Sequence, residues 1–213
     1  MGVITITTDF GHKGPFVAVM KGVILSRYPE AKIVDLMHDI PAQWPPEAGF
    51  WVSRAYRWFP AGAIHLAIVD PGVGTERDIL LVQHDDHTFM APDNGLLGPL
   101  LDNATAARVY RLDTDRLDLP EPSATFHGRD IFAPVAADLA AGNLEIGDVA
   151  TETRDWIPGW IDAPESGAGR VAGVIITVDT FGNLISNIEA TLLESMAEPV
   201  AHIGGHQVPM RRT

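Results

Sequence analysis

The chain has 213 residues, a hydrophobic fraction of 46%, a charged fraction of 20% and a formal net charge of −13. A chain of this length and composition buries a sizeable core, so we expect one large domain, or one domain with a small appendage, and no long disorder. The acidic balance argues against nucleic acid as a partner, since binding to a phosphate backbone depends on clustered Lys and Arg. The absence of cysteine excludes disulfides, thiolate metal sites and cysteine nucleophiles.

The N-terminal sequence predicts no export signal. MGVITITTDF lacks the basic and apolar segments of a signal peptide, and no apolar run approaches the ~20 residues that span a bilayer. We therefore expect a cytoplasmic protein that has no membrane partner and binds a small molecule.

The first part of the chain alternates between predicted strands and predicted helices. Strand character covers Val3–Thr7, Ile33–Met37 and Ile64–Val69, and apolar residues at helical spacing cover Phe16–Tyr28 and Glu47–Phe59. This β-α-β-α-β order predicts an α/β fold with a mainly parallel sheet flanked by helices.

The next part of the chain predicts a hairpin, a strand and an Ala-rich helix. These elements cover Ile79–His84 with Thr88–Ala91, then Ala107–Leu112, then about Ile131–Ala141. The Pro, Gly and Trp content of residues 151–170 marks a linker. We therefore expect an α/β domain at 1–150, this linker, and a separate segment at 171–213.

The segment 171–213 reads as a small C-terminal β domain. It begins with a predicted strand at Val171–Val178, continues with a short helical run at Glu189–Met196, and contains a hairpin that turns at Gly204 and Gly205. A segment this short cannot form an independent core, so we expect the β domain to be incomplete or to be completed by a neighbour.

Ionisable side chains collect at the ends of the predicted elements. Asp9, Asp39, Asp70 and Asp179 each follow a strand, and His127 and Arg129 precede a helix. Each residue taken alone fits a cap or a turn. Because the carboxyl ends of parallel strands converge at one sheet edge, a shared cleft is a simpler explanation of the whole set.

Asp70 is the first candidate for chemistry, because it follows the buried strand directly and precedes Pro71. Arg77 is the nearest cation that could hold its carboxylate. In a hydrolase, Asp70 or His127 would be the general base for water, with Arg77 fixing the carboxylate and stabilising charge. The sequence leaves open which of the two is the base.

Two stretches raise the alternative of a metal site. His84–His87 (HDDH) holds four possible ligands, but adjacent side chains at a hairpin turn diverge, which favours a solvated turn. His202 and His206 are four residues apart, but the two glycines between them favour a hairpin over a helical ligand pair.

Two glycine-containing turns admit more than one interpretation. PGVG (Pro71–Gly74) lacks the sequence context of a phosphate-binding loop, so its glycines more simply let backbone approach a ligand. In DTFGN, a flat heterocycle could stack on Phe181 and pair with Asn183. Equally, Phe181 would fill the core of the small domain while Asn183 holds the turn.

Six motifs follow one another along nearly the whole chain. They are TTDFG (Thr7–Gly11), MKG (Met20–Gly22), VDPGVG (Val69–Gly74) with Arg77, APDNG (Ala91–Gly95), FHGRDIFAP (Phe126–Pro134) and DTFGN (Asp179–Asn183). Together they resemble the adenosine-forming S-adenosyl-L-methionine hydrolases, relatives of the fluorinating and chlorinating enzymes. The resemblance implies substitution at the ribose C5′ of S-adenosyl-L-methionine, with water or hydroxide attacking, methionine leaving, and no metal or other cofactor.

The resemblance also implies the residues of the site. Asp70, Arg77 and His127 match the water-activating triad of the family. Family members are trimers, which implies a homotrimer with each site between the larger domain of one subunit and the small β domain of the next.

Four further residues match the substrate-binding positions of the family. By the resemblance, Asp9 would bind the ribose hydroxyls, Asp179 the methionine ammonium, and Phe181 with Asn183 the adenine. Many family members carry a carboxylate in the stretch where this chain reads Gly14, Pro15 and Phe16, so one contact to the methionine part is missing here.

Hydrolysis is favoured over halogenation, because halogenating relatives place hydroxyl side chains where this chain has Asp70, Val73 and Gly128. Two other functions stay open from the sequence. One is a non-catalytic protein that binds adenosine or S-adenosyl-L-methionine. The other is a metal-dependent hydrolase that uses Asp9, His12, His38, Asp39 and the HDDH stretch.

Overall fold

The computed structural model describes residues 2–196 and 198–210. The chain divides into two compact units, Met1–Trp160 and Ile161–Thr213. The predicted division at 1–150, 151–170 and 171–213 stays a prediction, and residues 197 and 211–213 of its last part lie outside the described residues. Within the described ranges, none of the helices is both long and apolar enough to cross a membrane.

The first unit is built on a seven-stranded sheet. Its strands are β1 (Val3–Thr8), β2 (Lys32–Met37), β3 (Ile64–Ile68), β4 (Ile79–His84), β5 (His87–Pro92), β6 (Arg108–Leu112) and β7 (Ala150–Glu152). Their order across the sheet is β2-β1-β3-β5-β4-β6-β7. The first four in this order are parallel to one another, and the remaining neighbours pair antiparallel. The predicted α/β class is confirmed, with a parallel half and an antiparallel half in one mixed sheet.

Helices cover both faces of this sheet. They are α1 (Phe16–Arg27), α2 (Pro45–Ala55), α3 (Gly98–Leu101), α4 (Ala133–Ala141) and α5 (Ile146–Val149). Buried residues of α1, α4 and α5 share one core with one face of the sheet, and those of α2 and α3 share a second core with the other face. The helix predicted at Glu47–Phe59 begins earlier, at two prolines that suit a first helical turn, and ends in a 3₁₀ turn at Tyr56–Trp58.

Strand β3 lies inside the parallel half and is buried on both faces. Ile64, Leu66 and Ile68 belong to one core, whereas Ala67 and Val69 belong to the other. A strand covered on both sides reads as a continuous apolar run rather than an alternating one. This explains the run of apolar residues that ends beside Asp70.

The predicted hairpin is confirmed as β4 and β5. Asp85 and Asp86 occupy its two-residue turn with φ of 48° and 61°, the left-handed values of a type I′ turn. His84 and His87 form the pair that closes the turn. The HDDH stretch is therefore a tight hairpin turn.

The described part of the second unit contains three short antiparallel pairs. They are β8 (Glu165–Gly167) with β9 (Arg170–Ala172), β10 (Ile175–Val178) with β11 (Leu184–Ser186), and β12 (Ala201–Ile203) with β13 (His206–Val208). The last pair confirms the hairpin expected around Gly204 and Gly205. The predicted helical run at Glu189–Met196 is limited to a 3₁₀ turn at Ala190–Leu193.

The single strand predicted at Val171–Val178 is wrong, because the chain breaks it at Gly173. A Cβ at Gly173 would lie 2.3 Å from Asn187 Oδ1. That oxygen accepts a hydrogen bond from the Val174 N–H at 2.8 Å. The Asn187 side chain thus takes the place of a strand partner and separates β9 from β10.

Candidate active site

Asp70, Arg77 and His127 lie together beside the end of β3. Arg77 Nε donates to Asp70 Oδ2 at 2.8 Å, and Arg77 Nη2 donates to the same oxygen. The same Nη2 lies 3.0 Å from His127 Nδ1. The side chains of Asp70 and Arg77 are only 5% and 10% exposed, so their ion pair is held away from water. Arg77 therefore joins the end of the strand to the loop that carries His127.

A close backbone approach brings these two loops together. Gly74 has a φ of +78°, and a Cβ at this position would lie 2.1 Å from Ala124 O. Glycine fits here because it tolerates the left-handed conformation and leaves room for the carbonyl. The glycines of PGVG thus let the Asp70 loop pack against the segment before His127.

The guanidinium determines the tautomer of the His127 imidazole. Because a guanidinium has only donors, Nδ1 must accept the hydrogen bond, and the proton of the neutral ring then lies on Nε2. Burial lowers the pKa of His127 below its ordinary value, and the positive charge of Arg77 lowers it further. The negative charges of Asp70 and Asp130 act in the opposite direction without reversing the shift. The imidazole is therefore neutral at pH 7.

The second carboxylate oxygen of Asp70 is the open acceptor of this cluster. Asp70 Oδ1 is buried and has no hydrogen-bond partner among the described residues. A buried carboxylate oxygen without a donor is costly unless a ligand or water completes it. The cluster thus combines a fixed oxygen on the Arg77 side with a free oxygen that can accept a proton.

Asp9 lies in the turn that follows β1. Its Oδ2 accepts a hydrogen bond from the Gln43 N–H at 2.9 Å, which ties this turn to the loop before α2. The adjacent Phe10 packs edge-on against Phe126, with ring centroids 5.9 Å apart. Because Phe126 precedes His127, the Asp9 turn borders the loop of the triad.

Asp179, Phe181 and Asn183 form a tight turn in the second unit. Asp179 Oδ1 accepts from the N–H groups of Phe181 and Asn183 at 2.9 and 2.8 Å, and Oδ2 accepts from Asn183 Nδ2 at 2.7 Å. The hydrogen bond from the Asn183 side chain is the main cause that lowers the pKa of Asp179. Phe181 is 90% exposed, so it does not fill the core of its unit.

The residues of the metal alternative do not form one set of metal ligands in the described part of the chain. In the described ranges, no group of three or more His, Cys, Asp or Glu side chains is placed to hold a metal ion. His38 is buried, with Nδ1 2.9 Å from Thr8 Oγ1, whereas His12 and Asp39 form an exposed pair 3.5 Å apart. The side chains of HDDH belong to the hairpin turn described above.

Asn94 was not singled out from the sequence, yet it supports the strand end that carries Asp70. Its Nδ2 donates to Val69 O at 2.8 Å, and its Oδ1 accepts from the Leu96 N–H at 3.2 Å. Trp160 Nε1 donates to the Asn94 carbonyl at 2.6 Å. The motif APDNG marked this turn, but no sequence signal named its partner at the end of β3.

Ser123 and Asp130 were also missed, although both contact the segment around His127. The helix predicted from about Ile131 is preceded by a π-helical turn at Gly128–Phe132, and His127 is the residue before that turn. Single π-helical turns are frequent at functional sites. Asp130 belongs to FHGRDIFAP, so that motif was the only signal that could have pointed to it.

Comparison with known proteins assigns the family. The family model "SAM hydroxide adenosyltransferase N-terminal domain" matches residues 4–150. The chain is 38% identical to a protein of Thermus thermophilus named (R)-S-adenosyl-L-methionine hydrolase, over 100% of this chain and 83% of that protein. A Salinispora tropica protein of the same name is 39% identical over 91% of this chain and 74% of its own length. A crystal structure of an uncharacterized conserved protein from Thermotoga maritima matches with a TM-score of 0.87 at 33% identity, covering 96% of this chain and 80% of that one. The chain therefore belongs to the SAM hydroxide adenosyltransferase family.

Proposed function

We propose that this protein hydrolyses S-adenosyl-L-methionine to adenosine and L-methionine by attack of water at the ribose C5′. The observation that carries the proposal is the buried Asp70 Oδ1, which has no hydrogen-bond partner in the described ranges and lies beside an oxygen held by Arg77. The substrate is supported by the relatives named (R)-S-adenosyl-L-methionine hydrolase.

Asp70 is the proposed base, because it alone in the triad offers an open acceptor. His127 Nδ1 accepts from Arg77, so the neutral ring presents a donor, Nε2–H. Arg77 fixes the orientation of the Asp70 carboxylate. His127 in turn holds Arg77 in place through Nδ1.

The reaction balances without a metal or another cofactor. As the water oxygen bonds to C5′, the bond between C5′ and sulfur breaks and its electron pair goes to sulfur, which leaves as the neutral thioether of methionine. The proton of water goes to Asp70 and then to solvent. Because a sulfonium is already a good leaving group, the site needs to align and deprotonate water rather than activate the leaving group.

Four further residues are proposed to bind the substrate. Asp9 would bind the ribose hydroxyls through the oxygen that Gln43 leaves open, and the exposed ring of Phe181 would stack on adenine beside Asn183. Asp179 would receive the methionine ammonium. Its carboxylate already accepts hydrogen bonds within its turn from the N–H groups of Phe181 and Asn183 and from the Asn183 side chain, so the ammonium would bind beside these donors.

We also propose a homotrimer in which each active site combines residues of two subunits. Phe181, Val178 and Leu184 lie close in sequence and are all exposed, an apolar surface of the kind that marks an interaction site. The mass in solution, measured by light scattering, checks the number of subunits.

Incubation with each sulfonium epimer of S-adenosyl-L-methionine in ¹⁸O-labelled water tests the reaction. We expect adenosine that carries the label on its 5′ oxygen, and unlabelled methionine, both read by chromatography with mass detection. As a control, Asp70→Asn should lower kcat about 10²- to 10⁴-fold, the usual contribution of a general base. A folded protein that binds the substrate but releases no adenosine from either epimer would instead be a binding protein.

A further inference from the structure

A second charged cluster lies next to the triad and has no assigned role. We call it the Asp130 clamp, and it consists of Asp130, Ser123 and Arg129. Asp130 Oδ2 accepts from the Ser123 N–H at 2.9 Å and from Ser123 Oγ at 2.6 Å. Arg129 donates to the same carboxylate, from Nε to Oδ1 at 2.5 Å and from Nη2 to Oδ2 at 2.9 Å. Four donors thus surround one carboxylate that is 17% exposed.

The clamp closes the turn in which His127 lies. Ser123 Oγ, held by Asp130, accepts from the Phe126 N–H at 3.2 Å. In the opposite direction, the Phe126 carbonyl accepts from the N–H groups of Arg129 and Asp130, both at 3.1 Å. Hydrogen bonds therefore connect Phe126, which precedes His127, with Arg129 and Asp130, which follow it. The Ser123 backbone, as an acceptor for the imidazole, also raises the pKa of His127 against the larger lowering by burial.

The local backbone gives a reason why this position needs such support. His127 precedes the π-helical turn Gly128–Phe132, whose wider hydrogen-bond ring is less regular than that of an α-helix. A Cβ at Gly128 would lie 3.1 Å from Met20 Sδ and 3.3 Å from Phe126 Cε2, so the turn packs closely on its neighbours. The hydrogen bond from Arg129 holds the pKa of Asp130 at about 2, so the carboxylate stays charged at working pH.

We propose that Asp130 is a positioning residue of the active site, which acts through Ser123 to fix the orientation of His127 and so keeps Nδ1 at the Arg77 donor that sets the tautomer. His127 Nδ1 is hydrogen-bonded to Arg77 Nη2, and Arg77 is hydrogen-bonded to Asp70, so the orientation of His127 affects the whole triad. In the described residues, the hydrogen bonds of Asp130 go to Ser123 and Arg129 and not to a member of the triad. Its effect on the reaction rests on the proposed function, but its effect on the imidazole does not.

The chain offers a matched control for the ion pair. Asp138 in α4 accepts from Arg27 Nε at 3.1 Å and from Nη2 at 2.7 Å, and its side chain is 18% exposed. It resembles Asp130 in partner and burial, but its arginine lies in α1 and has no contact with the triad in the described residues. Asp138→Asn therefore reproduces the loss of a half-buried ion pair without the loss of the clamp.

Kinetics distinguishes positioning from mere stability. We expect Asp130→Asn to lower kcat about 10-fold with KM changed less than about 2-fold, since small displacements of a catalytic group are costly. Asp138→Asn should leave both constants unchanged. In a His127→Ala background, Asp130→Asn should cause no further loss, because its route to the reaction is already broken. Equal losses in both backgrounds, or equal effects of the two Asn variants, would overturn the proposal.

Nitrogen NMR of the imidazole tests the same proposal without activity. In the ligand-free protein we expect His127 to show a single Nε2–H tautomer, and Asp130→Asn to give a mixture while Asp138→Asn does not. An unchanged tautomer in Asp130→Asn would refute the positioning role. Ser123→Ala, which removes only the hydroxyl, gives the same readout if Asp130→Asn does not fold. If the wild-type protein releases no adenosine, the proposed function fails, but the NMR result still decides the role of Asp130.

Discussion

At the scale of single residues, Arg77 fixes the geometry of the triad. Its Nε and Nη2 both reach Asp70 Oδ2, and Nη2 also reaches His127 Nδ1. A planar guanidinium sets the directions of these donors together, whereas a lysine ammonium is a point charge on a flexible stem. A positive charge alone therefore does not reproduce the arrangement that leaves Asp70 Oδ1 free.

The first prediction concerns a variant that removes the Arg77 guanidinium but keeps a positive charge at this position. We expect Arg77→Lys to lower kcat about 10- to 100-fold with a small change in KM, because the carboxylate and the imidazole lose their common orientation. Steady-state kinetics beside thermal melts measures the effect. Arg111→Lys is the control, since Arg111 pairs with Asp78 at 2.8 Å in a more exposed position. Wild-type kcat in Arg77→Lys would show that charge is sufficient.

The sequence indicates the three residues that lie together beside β3 better than it indicates the residues that hold them. Asp70 was identified because a buried strand ends in an acid at a sheet edge, and Arg77 because it was the nearest cation. His127 is a candidate base from its residue type and its place before a predicted helix, and the motifs group it with Asp70 and Arg77. Asn94 and Asp130 act through backbone groups of Val69 and Ser123, and such partners are set by tertiary packing, which neither periodicity nor spacing encodes.

At the scale of elements, the contact between two loops decides whether the triad forms. The loop after β3 can approach the segment before His127 only because Gly74 has no side chain. A side chain at position 74 would meet two separate difficulties. The φ of +78° would strain its backbone, and its Cβ would lie only 2.1 Å from Ala124 O. The clash with Ala124 O would push the two loops apart.

Gly74→Ala therefore should reduce activity as well as stability. We expect a loss of about 1–3 kcal/mol of unfolding free energy from backbone strain and the displaced carbonyl. We also expect kcat to fall about 10-fold or more, because Asp70 and His127 move apart. Chemical denaturation and steady-state kinetics on the same preparation measure the two effects.

Gly62→Ala is the control that distinguishes backbone strain from the clash with Ala124 O. Gly62 has a similar φ of +81°, but a Cβ there meets nothing within 4 Å. This variant should lose stability from the strained φ and keep its kcat. If both variants lower kcat equally, the loop contact is not what positions the triad.

Apolar patterns predict which elements are present better than they predict where an element changes or breaks. The apolar patterns correctly gave β3, the hairpin at β4 and β5, and a helix after His127. They did not predict the π-helical turn at Gly128–Phe132, for which apolar spacing carries no signal, or the break at Gly173, which depends on the hydrogen bond between Val174 and the side chain of Asn187.

At the scale of the whole molecule, the sheet buries a histidine pair on the face opposite to the α1 and α4 core. Thr5 Oγ1 lies 2.8 Å from His65 Nδ1, and His65 Nε2 lies 3.1 Å from His87 Nδ1. The three residues come from β1, β3 and β5, so one hydrogen-bonded chain crosses the parallel half of the sheet. Phe89 stacks on His65 with ring centroids 4.9 Å apart, which keeps water from the imidazole.

The hydrogen-bonded row of Thr5, His65 and His87 makes the stability of the whole fold sensitive to acid. Burial lowers the pKa of His65 to about 3, with a further contribution from His87, whose own pKa burial also lowers. The unfolded chain binds a proton at the ordinary pKa of about 6.5, whereas the folded chain resists it down to about 3. The contribution of His65 is therefore fully present above pH 6.5 and is lost as the pH falls from 6.5 towards 3.

From this difference, acidification from pH 7 to pH 4 should remove about 3 kcal/mol of unfolding free energy through His65 alone. His65→Gln keeps a donor and an acceptor for Thr5 and His87 but does not titrate. We expect this variant to be less stable than wild type at pH 7 and to lose less stability between pH 7 and pH 4, measured by denaturant unfolding at each pH. The exposed His12→Gln should behave as wild type throughout. Parallel pH profiles for wild type and His65→Gln would contradict the prediction, since the acid sensitivity would then arise from groups outside this histidine chain.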